Sequence, residues 1–429
     1  MPREIPGEGR GARVFTRTVN KTVTARALAR STARYVVRLV FYVVVGVLGF
    51  LSRARRPARL IHSAPPRRIL VVRLDLLGDI TFSMPAVAAL RCAYPNAGIT
   101  MLTLPYSAPL ASMYRCVDEI IPLDTNAIRT VSGLVSPGTW LAYWKVFREL
   151  KAENYDLAVS MSGQMASLWS RLSGASTTIG FAGEAYPFIL TNPVPGRRYE
   201  ERKSEVDYGL QLAAAAGASK AGVRESPHVP DALVERMRDA LRQAEIGDED
   251  EIVAIHPGAG HGSAKRWPAA NWAAFADRLQ TSTNTRVVLV GGAFDRPIAQ
   301  QILAAAKTRI VSLVGDTTIG ELCGLLQRAN LVASSDSGPL HIAAALNRPV
   351  LGVYGPTDPA VYGPMSGHMA STVLRRDLPC SPCYTAAASA ECPLGDPICM
   401  RLVPPKQMVD AALRLLAEPL KIVKESAEA

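Results

Sequence analysis

Three stretches of the sequence hold residue types that could do chemistry. In Ser335-Asp336-Ser337-Gly338-Pro339-Leu340-His341 a small-residue turn runs into an Ala-rich apolar segment. Gly338 lets a backbone approach a ligand closely, Ser337 suits a helix cap, and Pro339 suits the first helical position, where no N–H is required. The free N–H groups and positive dipole end of such a helix favour a diphosphate, and His341 could donate to a phosphate oxygen. The same residues also suit an ordinary capped helix with a packed histidine.

The second stretch opens with His256-Pro257-Gly258-Ala259-Gly260, a strand-end turn with phosphate-cradle character centred on Gly258. Lys265 follows in Ser263-Ala264-Lys265-Arg266-Trp267-Pro268. It is either a surface lysine or a point charge that balances a leaving nucleoside diphosphate. Asp295 ends the Gly291-Gly292-Ala293-Phe294-Asp295 turn, where a carboxylate could bind ribose hydroxyls. The third stretch is Arg73-Leu74-Asp75-Leu76-Leu77-Gly78-Asp79. A carboxylate there, at a strand end and beside a helix N-terminus, is held ionised and can accept a hydroxyl proton. Asp79 is the candidate base, with helix capping as its alternative, and Asp75 is one step further from the helix and reads as structural. The sequence has no HExxH, GxSxG or Walker A pattern, which argues against a metalloprotease, a serine hydrolase or a P-loop NTPase.

Positioning these residues requires a repeated strand–turn–helix unit. Apolar runs at Arg67–Leu74, Ile99–Leu104, Glu119–Leu123, Tyr155–Ser160 and Thr177–Phe181 read as strands, alternating with helical segments that include Trp140–Lys151 and Gln164–Leu172. A polar stretch from Gly217 to Glu251 connects this half to a second series of strands at Ile252–His256, Arg286–Gly291, Ile310–Leu313, Leu331–Ser334 and Pro349–Tyr354. The alternation specifies α/β architecture with mainly parallel sheets, as two doubly wound Rossmann-like domains facing across a cleft. The expected boundaries are 1–64 for an N-terminal arm, 65–230 for the first domain and 250–416 for the second.

Taken together and in order, VVRLDLLGDITFSMPAVAALR, VAIHPGAG with AKRWP, VLVGG, and SSDSGPLHIAAALNRPVLGVYGPTDP resemble glycosyltransferase family 9, the heptosyltransferase family, over about Arg67 to Val403. The resemblance implies a GT-B fold and inverting transfer of a sugar from a nucleoside-diphosphate donor, with no metal required for catalysis. By position, Asp79 would be the base on the acceptor hydroxyl and Lys265 would stabilise the leaving diphosphate. Asp336, Ser337, Gly338 and His341 would hold the donor. ADP-heptose is the first expected donor, and a lipid-linked or envelope glycan such as lipopolysaccharide core the expected acceptor. The alternatives are a nucleotide-sugar epimerase of the same fold and a catalytically silent nucleotide-sugar or glycan-binding protein.

Composition adds an address. Of the net charge of +11, residues 1–68 carry +13 (fifteen Lys or Arg against Glu4 and Glu8), leaving −2 on the body and no case for a nucleic-acid groove there. Arg26, Arg30, Arg34 and Arg38 recur every four residues, a basic stripe on a helix, and the apolar run Tyr35–Leu51 follows. Seventeen helical residues reach about 26 Å, short of a ~30 Å hydrocarbon core. The arm is therefore expected to lie in, or anchor shallowly to, an anionic membrane at the cytoplasmic face of the inner membrane. Cys92, Cys116 and Cys323 are expected in the core. Cys380, Cys383, Cys392 and Cys399 have spacing that allows a structural zinc site, reduced or disulfide-paired thiols, or an iron–sulfur cluster.

Overall fold

The computed structural model describes residues 65–184, 187–196, 201–219, 225–260, 262–365, 370–384 and 391–417. The basic arm and the apolar run 35–51 lie outside the described residues. Among the described residues no helix is long and apolar enough to cross a membrane.

The first sheet contains β1 (Arg68–Arg73), β2 (Gly98–Thr103), β3 (Glu119–Pro122), β4 (Leu157–Ser160), β5 (Thr177–Phe181) and β6 (Asn192–Val194). The second contains β7 (Ile252–His256), β8 (Arg286–Leu289), β9 (Val311–Ser312), β10 (Leu331–Ser335), β11 (Val350–Val353) and β12 (Ser371–Leu374). Their orders are β3-β2-β1-β4-β5-β6 and β12-β11-β10-β7-β8-β9, and every pairing is parallel. Strand order reverses between β1 and β4 and between β7 and β10, so the loops after β1, β7 and β10 open at the switch points where such sheets bind ligands. The three chemistry-bearing stretches occupy those three loops.

Unbroken apolar runs form the central strands because both faces are covered. Ile69 and Val71 of β1 face one apolar cluster, while Leu70 and Val72 face another that includes Leu150 and Trp169. The first of these clusters continues through the helices Leu77–Ala93 and Gly338–Ala345 into the second sheet, taking in Ile252, Ala254 and Val332. The two sheets thus share one core. On the far side of the second sheet, Val253, Ile255, Leu331 and Ala333 pack with helices Ala269–Ser282 and Pro405–Ala417 around the fully buried Trp267 and Trp272. Helix Glu205–Ala215 lies against helix Leu77–Ala93, and a Cβ on Gly209 would sit 3.2 Å from that of Ala86.

The α/β class and the doubly wound pattern stand as expected, with differences at the margins. The edge strands β6 and β12 were not anticipated; they are only three and four residues long and polar enough to lack a clear apolar run. The helix after β2 is a single turn, Ala108–Ala111, and Pro85 lies buried inside helix Leu77–Ala93. Cys92 is exposed on the outer side of that helix rather than in the core, whereas Cys116 and Cys323 are buried.

Helix Ile319–Arg328 begins with a reciprocal capping box, Thr318 Oγ1 accepting from the Glu321 N–H at 3.2 Å and Glu321 accepting from the Thr318 N–H at 2.8 Å. Thr318→Ala is expected to lower stability by about 1 kcal/mol without changing the fold, measured by urea unfolding.

Candidate active site

At the carboxyl end of β1, buried Arg73 organises three carboxylates. Its Nη2 lies 2.9 Å from Asp79 Oδ1 and 3.4 Å from Glu205 Oε2, its Nε lies 3.2 Å from Asp75 Oδ2, and its Nη1 donates to the Met161 carbonyl at 3.2 Å. Glu205 is buried at the start of its helix, so a charge from a distant segment balances the arginine. Asp75 also accepts from the Ser162 hydroxyl. Asp79 is the third residue of helix Leu77–Ala93, and its Oδ2 accepts from the Leu76 N–H at 3.0 Å. The capping role and the proposed base role therefore fall on one carboxylate. Arg73 approaches one carboxylate oxygen and the Leu76 N–H donates to the other, and the side chain keeps 20% exposure.

The facing wall comes from β7 and β10. Asp336, buried beyond the end of β10, holds Lys265 Nζ at 2.7 Å on one oxygen and His341 Nε2 at 2.9 Å on the other. Burial pushes the Asp336 carboxyl up, but the Lys265 ammonium and the His341 hydrogen bond outweigh it and hold the group well below the ordinary carboxylate range. The Lys265 ammonium also sits 4.1 Å above the centre of the Tyr384 ring. Burial raises the Tyr384 phenol; Lys265 opposes this, while Asp336, Asp79 and Asp75 add to it. Tyr384 is thus within electrostatic reach of both walls.

Ser337 is not the side-chain cap anticipated. Its hydroxyl lies 3.0 Å from His256 Nδ1 and 2.7 Å from Ser334 Oγ, and it makes no hydrogen bond to the helix. The first N–H groups of helix Gly338–Ala345 therefore lack a side-chain acceptor. Among the described residues, buried Ser335 Oγ, Thr357 Oγ1 and His341 Nδ1 likewise have no hydrogen-bond partner. His341 is committed to Asp336 through Nε2, so only Nδ1 remains for another group.

Asp295 reaches back to His256, its Oδ2 lying 3.4 Å from Nε2, and accepts from the Gly292 N–H at 3.0 Å. Burial raises Asp295, yet His256 and the Gly292 N–H bring it below its ordinary value. A Cβ on Gly258 would collide with the Asp295 carboxylate, so glycine is needed there for that side chain as well as for any ligand.

The two walls meet at their helix starts. A Cβ on Gly78 would lie 2.9 Å from His341 Cδ2, and one on Gly338 would lie 3.0 Å from Leu77 Cβ. Phe82 packs on the His341 ring with centroids 4.6 Å apart. Further along, Arg202 Nε donates to Asp358 Oδ2 at 2.9 Å, bridging the first half to the turn after β11.

The four C-terminal cysteines share one region. Cys383 and Cys399 are raised by burial and by the neighbouring thiols. All four are free, and among the described residues no three His, Cys, Asp or Glu side chains converge to hold a metal ion. The segment is tied to the turn after β11, with the Cys383 and Tyr384 N–H groups donating to the Pro356 carbonyl at 2.9 and 2.8 Å.

Residues 143–393 match the model for glycosyltransferase family 9 (heptosyltransferase). The chain belongs to this family. As a family 9 member it is a glycosyltransferase, and it is 28% identical over 324 residues to lipooligosaccharide heptosyltransferase 2 of Haemophilus influenzae, covering 72% of this chain and 88% of the relative. Its fold matches that of the glycosyltransferase family 9 protein from Veillonella parvula, with a TM-score of 0.68 at 22% identity over 82% of this chain and 98% of that one. It also matches the E. coli ADP-heptose lps heptosyltransferase II, with a TM-score of 0.64 at 24% identity over 81% and 98%. The family 9 fold is thus the expected two-sheet α/β arrangement.

Of the residues singled out in the sequence, Asp79, Gly258, Lys265, Asp295, Asp336, Ser337, Gly338 and His341 all lie at the carboxyl ends of the two sheets. Arg73, Glu205 and Tyr384 were missed. Arg73 left one trace, a charge closing the buried run RILVVR, whereas Glu205 and Tyr384 reach the site through long-range packing.

The depressed Asp336 carboxyl makes a pH-dependent prediction. Its contribution to stability is fully present above the unfolded carboxylate range and is lost as pH falls through the lowered folded value. Asp336→Asn should therefore cost roughly 3 kcal/mol near pH 7, and the gap from wild type should close as pH falls below about 4, read by urea unfolding across pH.

Proposed function

We propose that this glycosyltransferase transfers heptose from ADP-heptose to a lipid-linked core acceptor of the lipopolysaccharide type, by single displacement with inversion. The observation that carries the reading is the opposition of an accessible, Arg73-held carboxylate at Asp79 to a turn of unpartnered donors beside Lys265. One wall can take a proton and the other can take negative charge, which is the division of labour that sugar transfer from a diphosphate needs. The donor and acceptor classes are supported by the relatives, which are described as ADP-heptose and lipooligosaccharide or lipopolysaccharide heptosyltransferases.

In this mechanism the acceptor hydroxyl donates to Asp79, which removes its proton as oxygen attacks the anomeric carbon. Arg73 and the Leu76 N–H hold the carboxylate oriented before attack. The C–O bond to the diphosphate breaks on the opposite side. Lys265 moves from its contact with Asp336 to the developing charge on the nucleoside diphosphate, and the open N–H groups of helix Gly338–Ala345 hold its oxygens. Asp295 and Gly258 line the nucleoside end. Catalysis uses charge placement by the chain's own residues, with no cofactor.

The basic, apolar arm 1–64 would hold the enzyme on the anionic cytoplasmic face of the inner membrane, so that donor arrives from water and acceptor from the leaflet.

Asp79→Asn should lower kcat by roughly 10²–10⁴-fold while leaving ADP affinity unchanged. Steady-state transfer assays with calorimetric ADP titration make the check, and a wild-type rate would refute the base assignment. Deletion of residues 1–62 should weaken binding to phosphatidylglycerol vesicles by about tenfold or more, with co-flotation as the readout. Unchanged vesicle affinity would rule out anchoring by the arm.

A further inference from the structure

The loop and helix after β3 carry an apolar surface that neither the fold nor the cleft uses. Val131 and Val135 of the short helix Val131–Val135 are highly exposed, and Trp140, Leu141 and Trp144 of helix Pro137–Ala152 are at least half exposed. The longer helix has a proper core face: Tyr143, Val146 and Phe147 pack against the cluster that contains Leu150 and Trp169. Its opposite face is apolar only in the first two turns. Beyond them come Lys145, Arg148 and Lys151 against the single acidic residue Glu149.

The patch is built, not frayed. Trp140 Nε1 donates to the Leu134 carbonyl at 2.8 Å, tying the two helices together, and Tyr143 Oη donates to the Asp124 carbonyl at 2.8 Å. Trp140 packs edge-on to Tyr143, and Trp144 lies with its ring centre 5.3 Å from that of Phe147. Lys145 and Arg148 make no ion pair among the described residues. Rigid tryptophans beside unpaired cations suit the boundary between hydrocarbon and anionic headgroups, where indole rings settle and basic side chains reach the phosphates.

Its location gives the patch a purpose. In an all-parallel sheet every loop after a strand emerges at the same edge, so Val131, Val135 and Trp140 stand at the edge that carries Asp79. β3 lies two strands from β1, about 10 Å away at the spacing of a sheet. A bilayer touching the patch would present the head of an embedded amphiphile at the level of the base.

We propose that Val131, Val135, Trp140, Leu141 and Trp144 form a membrane-docking surface of the acceptor half, inserting into an anionic leaflet with Lys145 and Arg148 at headgroup level. This surface is separate from the N-terminal arm and rests on the proposed function only for its benefit to catalysis.

Tryptophan emission isolates it. The chain has five tryptophans, none in residues 1–64; Trp169, Trp267 and Trp272 are buried, which leaves Trp140 and Trp144 as reporters. The full-length protein is mixed with phosphatidylglycerol–phosphatidylethanolamine vesicles containing a phospholipid brominated on its acyl chains. The expected result is a blue shift with bromine quenching, lost in the V131Q/V135Q/L141Q variant, which keeps both reporter tryptophans and whose near-UV circular dichroism and transfer rate on a detergent-solubilised acceptor stay near wild type. Vesicle co-flotation of the variant through its arm shows whether the arm still binds. Co-flotation of the wild type with no quenching would overturn the docking surface while leaving the arm and the transfer reaction standing. Emission already blue-shifted before lipid, with dimer in sedimentation, would assign the patch to a second copy instead. If activity fails on the soluble acceptor but quenching holds, the proposed reaction fails and the docking surface stands.

Discussion

The Asp336 carboxylate is the interaction on which the cleft depends. It is buried, and a carboxylate taken out of water survives only if its charge is answered at once. Lys265 and His341 answer it from two different segments, one preceding helix Ala269–Ser282 and one inside helix Gly338–Ala345. The pair therefore fixes where the lysine waits and which nitrogen of the histidine is occupied. It also leaves the turn electrically poised: a ligand diphosphate can draw Lys265 away from one oxygen while His341 still satisfies the other.

That wall would be idle without the contact between domains. Gly78 and Gly338 allow two helix starts to come within ordinary packing distance, and a single apolar cluster runs behind them from one sheet to the other. Asp79 and the turn at 335–341 are thus placed by the same core. Arg73 repeats the logic of Asp336 with opposite sign, a buried cation answered by Asp79, Asp75 and Glu205. In both cases a near neighbour in sequence (Asp79 for Arg73, His341 for Asp336) is joined by a partner from a remote part of the chain, Glu205 in one and Lys265 in the other.

This division explains what could be read from the residues alone. Apolar runs such as RILVVR and IVAIH are legible because buried parallel strands need continuous hydrophobicity, and Gly-Asp and Ser-Asp-Ser-Gly-Pro stand out because strand-to-helix turns at ligand edges demand small residues. Edge strands β6 and β12 carry no such demand and were invisible. Ser337 obeyed a sound local rule for caps, but His256 and Ser334 compete for its hydroxyl once β7 and β10 pair. Glu205 and Tyr384 are surface-type residues in sequence, and only tertiary packing makes them part of the site. The cysteine-bearing segment also carries Tyr384 over Lys265, held by two bonds to the Pro356 carbonyl, a placement no local pattern announces.

The central claim is that Asp79 works as a proton acceptor in one direct displacement, facing a diphosphate held on the other wall. The most direct test is the anomeric configuration of the newly formed glycosidic bond, read from proton and carbon coupling constants of product made by the purified enzyme from a donor of known configuration. The account predicts inversion relative to the donor. Retention would mean that a residue attacks the sugar first, and would contradict the assignment of Asp79 as base.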